Sequence, residues 1–140
     1  MAETTAKQRP GANMRLLEAT QYRLPPAGWV SILHRVSGIL MFVLLPFIIW
    51  LLDKSLTSEI SYGEFTSAFM GGLWIFPAII VKLVVLALIW AYLHHFFAGL
   101  RHLWMDATHS VSKEFGRTSA LVTLGLSIVL TLALGFKLFF

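Results

Sequence analysis

Residues His94 to Asp106 read H-H-F-F-A-G-L-R-H-L-W-M-D and close the second of three long apolar stretches. This segment contains three histidines, one glycine and one arginine. Ionisable side chains are costly in a bilayer unless they reach its surface or serve a function. The segment therefore indicates how the chain lies in a membrane and where its functional site is to be sought.

The composition is that of an integral membrane protein. Of the 140 residues, 57% are hydrophobic and only 13% are charged, whereas soluble domains carry about 25% charged residues. We predict an all-α fold with three membrane spans at roughly 28–52, 73–103 and 119–140, because helices satisfy their own backbone in lipid. A polar arm, 1–27, precedes the membrane domain, 28–140, and residues 53–72 are predicted to form a polar loop.

Basic residues predict the orientation of the spans. Four lie in the arm, while Lys54 alone lies in the first loop and Lys137 alone near the C-terminus. The positive-inside rule then places the N-terminus inside and the C-terminus outside. Trp29 and Trp50 are predicted interface anchors, and Lys82 is expected to extend towards the surface. The arm lacks the apolar core of a signal peptide, so we expect the first span to direct insertion.

Cysteine is absent from the sequence. This excludes disulfides, iron–sulfur ligation by this chain, thiolate catalysis and covalent haem attachment through C-x-x-C-H. Any haem bound by this chain must therefore be held by histidine or methionine. Nothing in the sequence indicates a nucleic-acid partner.

Three residues of the second span share one helical face. His95, Gly99 and His102 are spaced four and seven residues apart, whereas His94 points about 100° away. A flat macrocycle against a helix needs a small residue beside its ligand, and Gly99 provides that space. We therefore predict His95 as an axial ligand of haem iron and His102 as an interface residue or propionate partner. The alternative for His95 is a hydrogen bond between helices.

The first span carries a matching polar face. Ser31, His34, Arg35 and Gly38 follow the spacing of one helical face. At a depth similar to that of His95 on the antiparallel span, this face can meet the second. Arg35 can pair with a propionate or a quinone carbonyl, and Ser31 is a small hydrogen-bond donor. The alternative is a packing seam from which Arg35 extends to the inner surface.

Both segments resemble signatures of a known family. S-I-L-H-R-V-S-G at Ser31–Gly38 resembles a signature of the cytochrome b556 (large) membrane-anchor subunit of succinate dehydrogenase, respiratory complex II. H-F-F-A-G-L-R-H-L-W-M-D at His95–Asp106 is similar to that family's second signature, H-x3-G-x-R-H-x3-D. The three-span layout and Arg9 followed by Pro10 also fit, and the resemblance covers nearly the whole chain.

The resemblance implies a subunit of the bacterial inner membrane that forms half of a two-subunit anchor. A second three-span anchor subunit would donate the other axial histidine to a shared haem b. His95 falls on the ligand position, Ser31 and Arg35 fall on quinone-site positions, and His34 falls near the haem propionates. The flavoprotein and iron–sulfur subunits would dock on the inner face. Electrons would pass from succinate to ubiquinone, with no succinate-oxidising chemistry in this chain.

Two other functions remain open from the sequence. One is a haem-free structural anchor of a related complex. The other is a small channel or transport accessory subunit, in which His34, Arg35 and His95 would line an aqueous path. Asp106 either pairs with Arg35 across the bundle or remains solvated at the inner surface.

Overall fold

Residues 23–139, the part of the chain that the computed structural model describes, form helices and no strand. The all-α prediction is therefore confirmed. The helices are α1 (Pro26–Val43), α2 (Leu45–Leu56), α3 (Glu59–Met70), α4 (Ala78–Thr108) and α5 (Lys113–Phe139). By length and composition, α1, α4 and α5 can each cross a membrane, as predicted. Most of the predicted arm, residues 1–22, lies outside the described residues.

The predicted first span, 28–52, is divided into two helices at Leu44. Pro46 stands in the first turn of α2 and has no N–H to donate to Phe42, four residues earlier. The backbone compensates around the break, because the Leu44 N–H donates to the Leu40 carbonyl. The proline therefore ends α1 and starts α2, while the Leu44 N–H between the two helices stays bonded.

The predicted loop over residues 53–72 is wrong for most of its length. Helix α2 continues to Leu56, and Glu59–Met70 forms α3. The Ser58 hydroxyl accepts a hydrogen bond from the Ser61 N–H, and the Ser61 hydroxyl accepts one from the Ser58 N–H. This reciprocal cap satisfies two backbone donors at the start of α3. The serines that suggested a loop are the residues that start a helix.

The three candidate spans meet at small side chains. Val30 of α1, Ala98 of α4 and Ala120 of α5 are fully buried against one another. Small residues let helices approach closely, which is the main source of packing energy between spans in lipid. Helix α4 packs against both α1 and α5, and its buried side chains recur every three or four residues. They are Val81, Val85, Leu88, Ala91, His94, Ala98 and Arg101.

The start of α4 and the end of α5 lie at the same end of the bundle. Lys82 Nζ is 5.8 Å from the centroid of the Phe139 ring. Helices α2 and α3 also reach this end, where α3 packs against α2 and α4. The opposite end holds the start of α1 and the end of α4, which carry the predicted site residues.

Candidate functional site

The imidazole rings of His34 and His95 stack between α1 and α4. Their centroids are 4.0 Å apart, with an angle of 26° between the ring planes. The His102 ring lies 5.5 Å from that of His34. The structure thus brings together three histidines that the sequence placed on two facing surfaces.

The Nδ1 atom of His95 is held by the backbone of α1. It lies 3.0 Å from the His34 carbonyl oxygen, and because a carbonyl can only accept, Nδ1 is the protonated nitrogen. The Ser37 hydroxyl donates to the same carbonyl at 2.8 Å and lies 3.2 Å from Nδ1. In a neutral imidazole the lone pair then resides on Nε2. Histidines that bind metals are commonly oriented in this way.

Two glycines set the space around this histidine pair. A Cβ on Gly38 would lie 3.1 Å from His95 Cε1, which is too close for an undisturbed ring. A Cβ on Gly99 would lie 3.9 Å from His34 Nε2, an ordinary contact. Gly38 is therefore needed for the position of the His95 ring. The sequence-based role of Gly99, to leave room for a macrocycle, stays a prediction.

Ser31 and Arg35 lie on the same helix as His34. Ser31 is half-buried and Arg35 is exposed. Among the described residues no carboxylate lies within ion-pair distance of Arg35. Asp106 is exposed at the end of α4, and the structure does not pair it with Arg35. The guanidinium of Arg35 is therefore available to a ligand, to another subunit or to residues outside 23–139.

His94 lies between α5 and the Val30 backbone of α1, away from the stacked pair of His34 and His95. Its ring is fully buried, stacks on Trp90 with centroids 5.3 Å apart, and places Nδ1 3.4 Å from the Ser127 hydroxyl oxygen. Its Nε2 has no hydrogen-bond partner among the described residues. Adjacent residues diverge by about 100° on a helix, and here that angle sends the two histidines to different interfaces. His94 is therefore not part of the stacked pair formed by His34 and His95.

Arg101 has a structural role that the sequence reasoning missed. Its side chain is only 9% exposed. Nε donates to the Ser119 hydroxyl at 2.9 Å, and Nη2 donates to the Gly116 carbonyl at 3.2 Å. Arg101 follows His94 by seven residues and therefore lies on the same face of α4, but the burial of that face is seen only in the structure. This arginine links the end of α4 to the start of α5 through these two hydrogen bonds.

Replacing Arg101 with methionine is expected to destabilise the packing of α4 against α5. Hydrogen bonds from a charged group contribute about 1.5–3 kcal/mol each, and the variant loses them. It also no longer buries a cation, and the desolvation cost that is removed offsets part of the loss. We expect a net loss of about 2 kcal/mol, seen as a lower Tm of the purified protein. The control is Arg117→Met, which removes an exposed cation from α5. Equal Tm values for both variants would contradict the role given to Arg101.

The donor set fits a metal held in a macrocycle. The described residues contain no group of three histidine or carboxylate side chains able to hold a bare metal ion. A haem iron takes four nitrogens from its porphyrin and needs only axial ligands from protein. His95, with Nδ1 bonded to a backbone carbonyl and no described partner at Nε2, meets that need for one side of the iron.

Fold and site together define a multi-pass membrane protein whose ionisable side chains cluster between two spans. The sequence model of the succinate dehydrogenase/fumarate reductase transmembrane subunit family matches residues 6–134, and the chain belongs to this family. The resemblance inferred from the two signatures is thereby confirmed.

Several curated relatives share most of this chain. It is 34% identical over 113 residues to the succinate dehydrogenase cytochrome b556 subunit of Coxiella burnetii, an alignment that covers 81% of this chain and 86% of that protein. It is 31% identical over 109 residues to the protein of the same name from Paracoccus denitrificans, with 78% of each chain covered. The prediction of a membrane-anchor subunit is confirmed at this level. The chain is a multi-pass protein of the bacterial inner membrane, as predicted.

Proposed function

We propose that this chain binds haem b jointly with a second three-span anchor subunit and forms part of a ubiquinone-reduction site. In the same proposal it tethers the flavoprotein and iron–sulfur subunits of succinate dehydrogenase to the membrane. The family match and the cytochrome b556 names of the relatives support this function. The single observation that carries it is the His95 ring, whose Nδ1 is fixed by the His34 carbonyl at 3.0 Å.

His95 is the proposed axial ligand through Nε2. When bound, the haem supplies a one-electron redox centre within the membrane. A haem held by two histidines would need a second one in addition to His95. His34 stacks on the same ring as the proposed ligand, and His94 is buried towards α5. His102 lies on the same helical face as His95. The second histidine is therefore assigned, as the family resemblance implies, to the second anchor subunit.

Ser31 and Arg35 are the proposed quinone contacts. They lie one helical turn apart, so their polar groups can reach a single small ligand. Negative charge develops on quinone oxygens during reduction, and a fixed cation stabilises it strongly where water is excluded. Arg35 supplies that cation, and Ser31 supplies a hydrogen-bond donor. His34, stacked on His95, is the proposed neighbour of the haem propionates.

The proposed orientation places the histidines near the inner surface. They lie at the bundle end that holds the start of α1, directly after the arm with its four basic residues. By the positive-inside rule this end faces the cytoplasm. The iron–sulfur and flavoprotein subunits would dock there, close to the quinone and haem sites.

A reduced-minus-oxidised visible spectrum tests the proposal directly. The complex is purified through a tag on this chain and assayed for a b-type band and for flavin. Both signals together support a redox anchor. Flavin without a b-type band would refute haem binding and leave a structural anchor. Absence of both would refute the tether as well, and the transport accessory function would replace it.

Replacing Gly38 with valine is expected to reduce the b-type band severalfold. A Cβ at this position would lie 3.1 Å from His95 Cε1, and the two added methyl groups need further space, so the ring must shift. Gly125→Val is the matched control, because a Cβ at Gly125 meets no atom within 4 Å. Haem content per flavin is the measurement. An unchanged ratio in the Gly38 variant would show that haem binding does not depend on this position of His95.

A further inference from the structure

A second cleft lies at the end of the bundle opposite the histidines. It is a half-open cleft lined by α2, α3 and the turn that leads into α4, and has a volume of about 680 Å³. Sites for small ligands commonly measure about 300–1,000 Å³. The residues that matter for its chemistry are Phe47, Trp50, Lys54, Glu64, Leu73 and Trp74.

One wall of this cleft carries a pair of opposite charges. Lys54 Nζ lies 2.6 Å from Glu64 Oε2, and both side chains remain partly exposed. The hydrogen bond to Glu64 raises the pKa of Lys54, as expected for a pair of opposite charges. An ammonium has three donors and a carboxylate two acceptor oxygens, so the contact between them leaves capacity for a ligand on each.

The charged cleft adjoins a fully apolar crevice. Phe47 and Leu73 line both of them. The crevice has a volume of about 280 Å³ and continues past Ile80 and Val84 along the first turns of α4. The two cavities together offer a polar recess beside an apolar crevice that follows the first turns of α4. This arrangement suits a ligand with a charged head and a hydrocarbon tail.

The turn before α4 places the cleft at the level of lipid headgroups. Leu73 and Phe76 exchange two backbone hydrogen bonds of 2.9 Å each. Between them Trp74 adopts a positive φ of 53° and is 95% exposed. Trp50 lines the other side of the cleft. Tryptophans are enriched at the boundary between membrane and water, where lipid headgroups lie.

We propose that this cleft is a binding site for phosphatidylethanolamine. Lys54 donates to the lipid phosphate, Glu64 accepts from the lipid ammonium, and one acyl chain occupies the apolar crevice. Phosphatidylglycerol has no cation to offer Glu64. The choline group of phosphatidylcholine has no N–H to donate and could contact only the aromatic faces. The charge pair therefore selects a headgroup that is zwitterionic and can donate hydrogen bonds.

Lipid retention by the purified complex tests this site. The complex is washed in detergent until its bound lipid is constant, and its phospholipids are counted by mass spectrometry. We expect Glu64→Gln to lower retained phosphatidylethanolamine at least fivefold at this site. Glu59→Gln removes a carboxylate from the same helix outside the cleft and is expected to retain lipid as the parent does. Equal retention by both variants would overturn the proposal.

A second variant keeps the test valid if loss of the ion pair disturbs α3. Trp74→Ala leaves Lys54 and Glu64 paired and removes a side chain that is almost fully exposed. We expect it also to lower phosphatidylethanolamine retention. The delipidated complex is then incubated with micelles that contain phosphatidylethanolamine, phosphatidylglycerol or phosphatidylcholine. Preferential uptake of either of the last two, or no preference, would refute the assignment.

Discussion

Replacement of His95 by leucine is expected to abolish the b-type absorbance band of the purified complex. Leucine has a side chain of comparable size without a nitrogen, so one axial ligand is lost while the packing of α1 against α4 is largely kept. The Ser37 hydroxyl still donates to the His34 carbonyl at 2.8 Å, so no buried backbone acceptor is left unpaired. The measurement is haem per flavin in the tagged complex.

Matched histidine variants separate ligation from loss of fold. His109→Asn changes an exposed histidine just after α4, where the backbone is left-handed with φ of 53° and asparagine is tolerated. It is expected to retain the band in full. If the His95→Leu complex kept an unchanged band, the ligand would have to be another histidine, and His94 and His102 would be the next to replace. A complex that lost flavin together with haem would indicate failed assembly.

Helical periodicity was sufficient to predict most of the candidate site. It placed His95, Gly99 and His102 on one face and Ser31, His34, Arg35 and Gly38 on another. Equal depth on antiparallel spans then predicted that the faces meet, and the structure brings the His34 and His95 rings together. The rule works here because each span is a long regular helix, in which spacing fixes direction.

Contacts that depend on backbone atoms could not be predicted in this way. Ser37 lies outside the predicted face, next to Gly38. Its hydroxyl donates to the His34 carbonyl and lies 3.2 Å from His95 Nδ1. Periodicity gives the direction of a side chain but not where its hydroxyl will bond. Arg101 is a second case, because helical spacing does not show which neighbouring groups its guanidinium will bond. Its two bonds to α5 show that a neighbouring helix can satisfy the same charge.

The regions between spans were the least predictable from pattern. Residues 53–72 contain serines and glycines without a clear apolar repeat, which is typical of a loop. The deciding interaction is the reciprocal cap of Ser58 and Ser61, which involves backbone donors and leaves little trace in hydropathy. The break between α1 and α2 was also missed. Proline interrupts backbone hydrogen bonding, but the residues around Pro46 stay apolar, so hydropathy does not show the break.

Replacement of Arg35 by leucine is expected to reduce succinate-dependent ubiquinone reduction by about 10–100-fold. That range corresponds to the loss of about 1.4–2.7 kcal/mol, close to the contribution of one hydrogen bond from a charged group. Succinate oxidation with a soluble dye acceptor should be unchanged, because dye reduction bypasses the quinone site. The two rates are measured on the same purified complex, normalised to its flavin.

Two further variants test whether the effect comes from the quinone site. Arg35→Lys keeps the cation but loses the two-pronged guanidinium geometry, so its quinone activity should lie between that of the parent and that of the leucine variant. Arg117→Leu removes an exposed arginine of α5 and is expected to leave both rates unchanged. A parallel fall in the dye and quinone rates of Arg35→Leu would place the defect in assembly. Unchanged quinone reduction would exclude Arg35 from the proposed site. No described carboxylate lies within ion-pair distance of Arg35, so the loss of an ion pair would not complicate this result.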